Sequence, residues 1–121
     1  MPRDQRAYLA DILEAITEIQ AHTADWDEDD LTERWNRWAV MKALEIIGEA
    51  AGQLSAETRA QMPDIPWGSI VGMRNMLVHV YFRANVKDIW ETIKDDLDPL
   101  KGTIEAFLET SEPPEEKSDD I

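Results

Sequence analysis

The chain has 121 residues, enough for one domain around one core and too few for two independent ones, and its formal charge is −14. It has no cysteine and only two histidines, which excludes disulfides and thiolate metal sites and argues against a structural zinc. The excess of acid disfavours broad, unspecific nucleic-acid affinity, which needs clustered Lys and Arg.

The N-terminus MPRDQRAYLA has no apolar targeting core. No stretch approaches the roughly 20 apolar residues of a membrane span, so the expected location is the cytoplasm. Within Asp4–Ala21 the apolar residues Tyr8, Ile12, Ala15, Ile16 and Ile19 repeat with a helical period, which predicts a first amphipathic helix. His22 to Asp30 reads as an acid-rich loop that sets carboxylates near the positive end of the next helix. That second helix is predicted from about Leu31 to Leu54, with Leu31, Trp35, Trp38, Leu44, Ile47, Ala51 and Leu54 as its buried residues. Gly48 and Gly52, four apart, open its surface to close approach by another helix. Ser55 is placed to cap a short helix Ala56–Gln61, which Pro63 and Pro66 terminate. Pro66 also suits the first turn of a helix running from about Trp67 to Val80.

Arg83-Ala84-Asn85 interrupts the pattern, and Asn85 with Asp88 resembles a capping pair opening a helix through Val86, Ile89, Trp90, Ile93 and Leu97. Asp98 as a cap and Pro99 in a first turn predict a further helix to about Leu108 rather than one straight rod. Residues 111–121, with Pro113 and Pro114 among mostly charged neighbours, have too little apolar surface to offset their ordering entropy and read as a mobile acidic tail. Residues 1–110 are therefore expected to form an all-α, antiparallel helical bundle of about five to six helices.

The chemistry is concentrated in Arg74-Asn75-Met76-Leu77-Val78-His79-Val80-Tyr81. Arginine supplies a fixed cationic fork, histidine exchanges a proton near neutral pH, and tyrosine offers a hydroxyl that can bind or be modified. The motif also sits in a locally basic stretch, because Ile65–Lys94 carries Arg74, Arg83, Lys87 and Lys94 against only Asp88 and Glu91. In an ideal helix at about 100° per residue, Asn75 and His79 stack one turn apart and Arg74 lies within about 20° of Tyr81. Arg74 and His79 are about 140° apart, so one straight helix does not bring both to one phosphate. Either the helix loosens toward its end, or a second chain completes the site across a two-fold axis, the arrangement favoured here. Such a groove suits RNA cleavage without a metal: His79 would move a proton, Arg74 would stabilise charge on the phosphorane, Asn75 would orient the imidazole or a phosphate oxygen, and Tyr81 would line the groove.

Plainer structural roles exist for each residue. A lone helical histidine is commonly a hydrogen-bonded structural residue, and Arg74 is also placed to pair with a glutamate of the second helix. His22 reads as a solvated side chain. Trp35, Trp38, Trp67 and Trp90 fall on apolar faces, whereas Trp26 lies in a polar loop where base stacking is conceivable. Asp29/Asp30 and Asp95/Asp96 read as solvated faces.

Arg74-x4-His79-x-Tyr81 resembles the R-x4-H-x-Y signature of HepT-like toxins in the HEPN superfamily, all-α ribonucleases encoded beside a minimal nucleotidyltransferase antitoxin. The resemblance extends to Arg6-Ala7-Tyr8-Leu9-Ala10-Asp11-Ile12-Leu13-Glu14-Ala15-Ile16, to Leu44-Glu45-Ile46-Ile47-Gly48-Glu49-Ala50-Ala51, to Ile65-Pro66-Trp67 with Gly72-Met73-Arg74-Asn75, and to Leu77-Val78-His79-x-Tyr81-Phe82. It implies a homodimeric toxin of a type II/VII-like toxin-antitoxin pair. Arg74 and His79 would carry metal-independent, cofactor-free endoribonuclease cleavage of RNA rather than DNA, with Asn75 supporting. The cognate nucleotidyltransferase antitoxin would adenylylate Tyr81. The chain departs from the family pattern at Gly68, where a basic residue often follows Pro-Trp, and at Arg83-Ala84-Asn85, where a Gly-Val/Ile-Asp run is common. A second reading is a non-catalytic helical subunit that presents substrate to a nucleotidyltransferase, which the acidity and scarcity of Lys suit; an intact Arg74/His79 pair favours the enzyme.

Overall fold

The computed structural model describes residues 4–75 and 86–110, and the regular elements of these residues are all helical. The helices are α1 (Gln5–Thr23), α2 (Arg34–Gly52), α3 (Ala56–Ala60), α4 (Trp67–Gly72), α5 (Val86–Glu91) and α6 (Leu97–Thr110). The predicted break at Arg83-Ala84-Asn85, the Asn85 cap and the acidic tail lie outside the described residues. No described helix is long and apolar enough to cross a membrane.

Each helix start carries a local chemical reason. The Asp4 carboxylate accepts from the Arg6 backbone N–H at 3.1 Å and opens α1 one residue later than Asp4 itself. Ser55 Oγ accepts from Thr58 N–H at 3.0 Å and caps α3, as its sequence position predicts. Pro66 stands just before α4, where its carbonyl accepts from Ser69 and Ile70 at 3.0 and 3.1 Å and its missing N–H costs nothing. The acid-rich loop is partly ordered as a single 3₁₀ turn, Glu28–Thr32, in which the Asp30 carboxylate accepts from Asp27 N–H at 2.8 Å. α2 consequently begins at Arg34 rather than Leu31, with the Glu33 carboxylate accepting from Trp35 and Asn36 N–H at 2.9 and 3.2 Å.

Directions follow from bonds between distant residues. Arg6 at the start of α1 donates to the Leu108 carbonyl near the end of α6 at 3.2 Å, and Gln20 near the end of α1 donates to Asp98 at the start of α6 at 2.8 Å, so α1 and α6 run antiparallel. Ser55, just beyond α2, donates its backbone N–H to Gln5 Oε1 at 2.8 Å, which sets the end of α2 beside the start of α1. Between these helices Leu9, Ile12, Ile16, Leu44, Ile47, Ile89, Leu97 and Ile104 form the centre of the core, each buried. Trp67 joins it, with its indole N–H donating to the Met62 carbonyl at 3.1 Å. Arg59 donates to the Ala51 carbonyl at 3.0 Å and so satisfies an orphan acceptor at the end of α2.

Two expectations fail. Trp35 and Trp38 are exposed, at 72% and 41%, not buried. Counting about 100° per residue from the buried Leu44 puts Trp35 on the opposite side of α2 and Trp38 about 120° away, so the helical period overrides their apolar character. Asp98 is likewise not a cap. Its carboxylate accepts from Gln20, while Pro99 lies inside α6. Pro99 cannot donate to the Asp95 carbonyl and its ring would press on it in a regular helix, and the wide π turn Thr92–Asp96 relieves that conflict without ending the rod.

Candidate functional site

The chemistry-bearing motif begins where α4 ends. This short helix continues as a 3₁₀ turn, Met73–Asn75, instead of as α-helix through Arg74 and Asn75. Met73 is buried and pins the turn to the core, whereas Arg74 and Asn75 are exposed. His79 and Tyr81 lie outside the described residues.

The seat of this turn is the glycine face of α2. A β-carbon built on Gly48 would stand 2.9 Å from the Met73 carbonyl carbon and 3.0 Å from Arg74 Cα, and closer still to the Arg74 backbone nitrogen. One on Gly52 would stand 2.8 Å from Arg74 Nη1 and 3.7 Å from Val71 Cγ1. At Gly48 the obstacle is backbone, so only hydrogen fits between α2 and the motif there, whereas at Gly52 the obstacle is the far end of the Arg74 side chain, which can move aside. The expected close approach at Gly48 and Gly52 is thus realised, and its occupant is the motif turn itself. Arg74 lays its guanidinium along Gly52, and no ion pair joins it to a glutamate of α2 among the described residues. Arg74 is exposed as a residue while its backbone is held against Gly48.

The 3₁₀ turn also changes an angular argument. The separation of about 140° between Arg74 and His79 assumes continuous α-helix, and three residues per turn at Met73–Asn75 remove that premise. Residues 76–79, which complete the span to His79, lie outside the described residues.

The remaining sequence candidates resolve more simply. His22 is exposed at the end of α1, with Nδ1 3.2 Å from the Glu18 carbonyl oxygen and 3.8 Å from its carboxylate, a solvated side chain as expected. Trp26 is half-buried and packs against the core, which leaves it poorly placed for base stacking. Asp29, Asp95 and Asp96 are exposed, as solvated acids should be, whereas Asp30 is half-buried with its carboxylate accepting from Asp27 N–H. A shallow cleft of about 360 Å³ between α1 and α2, lined by residues including Tyr8, Asp11, Lys42 and Glu49, does not include Arg74. The feature missed by sequence reasoning is the outward Trp35/Trp38 pair, whose signal was the interleaved run Arg34-Trp35-Asn36-Arg37-Trp38 read with helical phase.

The model of the family described as "Ribonuclease HepT-like" matches residues 12–107, a span that includes both the glycine seat and the whole motif. The chain is 41% identical over 106 residues to "Probable ribonuclease HepT" of Thermococcus cleftensis, an alignment covering 87% of this chain and 96% of that protein. It is 38% identical over 104 residues to "Putative RNase MJ1380" of Methanocaldococcus jannaschii, covering 85% of this chain and 95% of the relative. No solved structure matches. With the match running through most of the bundle and nearly the full length of these relatives, the chain belongs to the ribonuclease HepT-like family.

Proposed function

We propose that the chain is a metal-independent endoribonuclease acting as the toxin of a toxin-antitoxin pair, with Arg74 and His79 as its catalytic residues. The observation that carries this reading is the family match across residues 12–107, joined to an exposed Arg74 whose backbone is seated on Gly48. In the cleavage step the ribose 2′-oxygen forms a bond to phosphorus while the bond from phosphorus to the 5′-oxygen breaks. The 2′-hydroxyl loses its proton to a base, and the departing 5′-oxygen receives one. An imidazole with an ordinary pKa of about 6.5 suits either transfer, and His79 takes one of them while water or a second copy serves the other. Arg74 stabilises the charge that grows on the non-bridging oxygens. Asn75, exposed next to Arg74, holds the imidazole or a phosphate oxygen.

The same reading assigns control to Tyr81. A cognate nucleotidyltransferase, using ATP and Mg²⁺, would join the Tyr81 oxygen to the α-phosphorus and release pyrophosphate. The attached AMP blocks the groove and offers Arg74 a phosphodiester in place of the RNA backbone. The assembly is a homodimer.

Purified protein incubated with total RNA tests the proposal. Cleavage should persist in EDTA, leave 2′,3′-cyclic phosphate ends or their hydrolysis product, and disappear in His79→Ala. Full activity in His79→Ala, or none in the wild type on any RNA, would replace this reading with that of a non-catalytic subunit. Co-expression with the partner should add AMP at Tyr81 by intact mass, and an unmodified yet fully inhibited protein would show that silencing is steric.

A further inference from the structure

We propose that Arg59 is a second phosphate-binding residue of the site, holding the RNA phosphodiester next to the one that Arg74 serves. RNA as the ligand rests on the ribonuclease reading, whereas the contact itself follows from the geometry at the end of α2.

Two arginines converge on the last turn of α2 from different elements. Arg59, on α3, donates from Nη2 to the Ala51 carbonyl at 3.0 Å. Arg74, on the motif turn, sets Nη1 2.8 Å from where a β-carbon on Gly52 would stand. Ala51 and Gly52 share a peptide bond, so standard backbone dimensions keep the two guanidinium nitrogens within about 10 Å of each other. The other arginines of α1 and α2 are engaged elsewhere: Arg6 donates to the Leu108 carbonyl, Arg34 lies 5.5 Å from the centre of the Trp38 ring, and Arg37 donates to the Leu31 carbonyl.

The pair lacks the counter-charges that a structural role would bring. The chain carries 26 Asp and Glu against 12 Lys and Arg, yet neither guanidinium forms an ion pair with a carboxylate among the described residues. Glu49 and Glu57, exposed on α2 and α3, are ion-paired with neither. Half-buried Arg59 spends one donor on the Ala51 carbonyl, and its Nε is buried without a hydrogen-bond partner. Capping the negative end of α2 accounts for that one bond, and a lysine would serve it equally. It does not account for a second cation brought alongside, where like charges repel. A polyanion resolves the conflict: a single RNA strand repeats its charge at intervals that two neighbouring cations can match, and each planar fork suits a pair of phosphodiester oxygens.

Salt dependence separates a phosphate contact from a helix cap. Binding of a labelled oligouridylate is followed by fluorescence anisotropy over a series of KCl concentrations, on a His79→Ala background so that the strand stays whole. Each phosphate contact on a single strand contributes about −0.7 to the slope of log K against log[salt]. Arg59→Met should flatten the slope by about 0.7 and weaken binding about 10-fold at low salt. Arg59→Lys should restore the slope, because it keeps the charge, and recover only part of the affinity, because it lacks the fork. Arg59→Gln keeps a donor for the Ala51 carbonyl and should still bind like Arg59→Met, which reads the charge with the cap preserved. In an RNA whose cut the wild type has mapped, a neutral methylphosphonate at one of the two linkages beside that cut should slow cleavage about 10-fold in the wild type and add nothing to the loss in Arg59→Met. Slope and affinity unchanged in both Arg59→Met and Arg59→Gln, with only the melting temperature of Arg59→Met lowered, make Arg59 a helix cap and overturn the proposal, and so does a protein that binds no oligouridylate at low salt. An Arg59-dependent slope in a protein whose wild type cuts no RNA keeps the phosphate contact and removes the ribonuclease reading. Wild-type cleavage with an Arg59-independent slope does the reverse.

Discussion

Gly48→Ala probes the link between fold and chemistry most directly, because the added methyl group points at the backbone of the motif rather than at a side chain. The Met73 carbonyl carbon would lie 2.9 Å from the new carbon and Arg74 Cα 3.0 Å from it. Restoring ordinary van der Waals separations requires the turn to retreat by roughly 0.5–1 Å. Overpacking of this kind costs about 1–3 kcal/mol, and exchanging glycine for alanine inside a helix returns about 1 kcal/mol. The net destabilisation is about 0–2 kcal/mol, a fall in Tm of up to roughly 8 °C. Activity should suffer more, since misplacing a catalytic group by about 1 Å can cost about 100-fold in rate. Two comparison variants sharpen the reading. Gly52→Ala meets the far end of the Arg74 side chain, with Nη1 at 2.8 Å, so the guanidinium swings aside, stability holds, and cleavage falls. Gly102→Ala in α6 meets nothing within 4 Å and should stabilise by roughly 0.5–1 kcal/mol with activity unchanged. Thermal melts and single-turnover RNA cleavage measure both quantities. A Gly48→Ala protein as active as the wild type and as stabilised as Gly102→Ala would refute the argument that α2 seats the motif.

Other outcomes follow from single residues. Leu44→Ala, at a fully buried position in the middle of α2, should cost about 2–5 kcal/mol in urea denaturation through lost burial and the cavity left behind. Trp67→Phe should cost about 1–3 kcal/mol, because the Met62 carbonyl loses its indole partner in a buried setting, and a melt within error of the wild type would show that water replaces it. Arg74→Lys keeps the charge and loses the planar fork, so under the proposed mechanism cleavage should fall at least about 10-fold with Tm preserved.

Much of the bundle was legible because short-range chemistry and long-range packing agree. The Ser55 cap and the period of Ile12, Ile16 and Ile19 follow from local rules that the tertiary structure leaves intact. Gly48 and Gly52 announced a close approach, and the partner of that approach is the motif turn. Trp35 and Trp38 depart from the expected burial because helical phase outweighs hydrophobicity, and Leu44 and Ile47 fix the buried side of α2. The tightening at Met73–Asn75 had no local signal, since no proline or glycine follows Gly72 within the turn. It arises from the demand that the chain lie flat on the glycine face.

The wide turn at Thr92–Asp96 bears on how this lineage can change in length. A π turn is a regular helix that has taken in one surplus residue, and here it stands between Ile89 and the set Leu97, Leu100 and Ile104, with its own Ile93 buried as well. Removing one residue from this segment would restore ordinary helical winding and drive the ring of Pro99 onto the preceding turn. Removing the proline alone would leave the surplus residue without its steric cause. Insertion and proline are therefore coupled characters: descendants that lose one are under pressure to lose the other, and a single-residue gap opposite Thr92–Asp96 in a related chain should coincide with a residue other than proline at the position of Pro99.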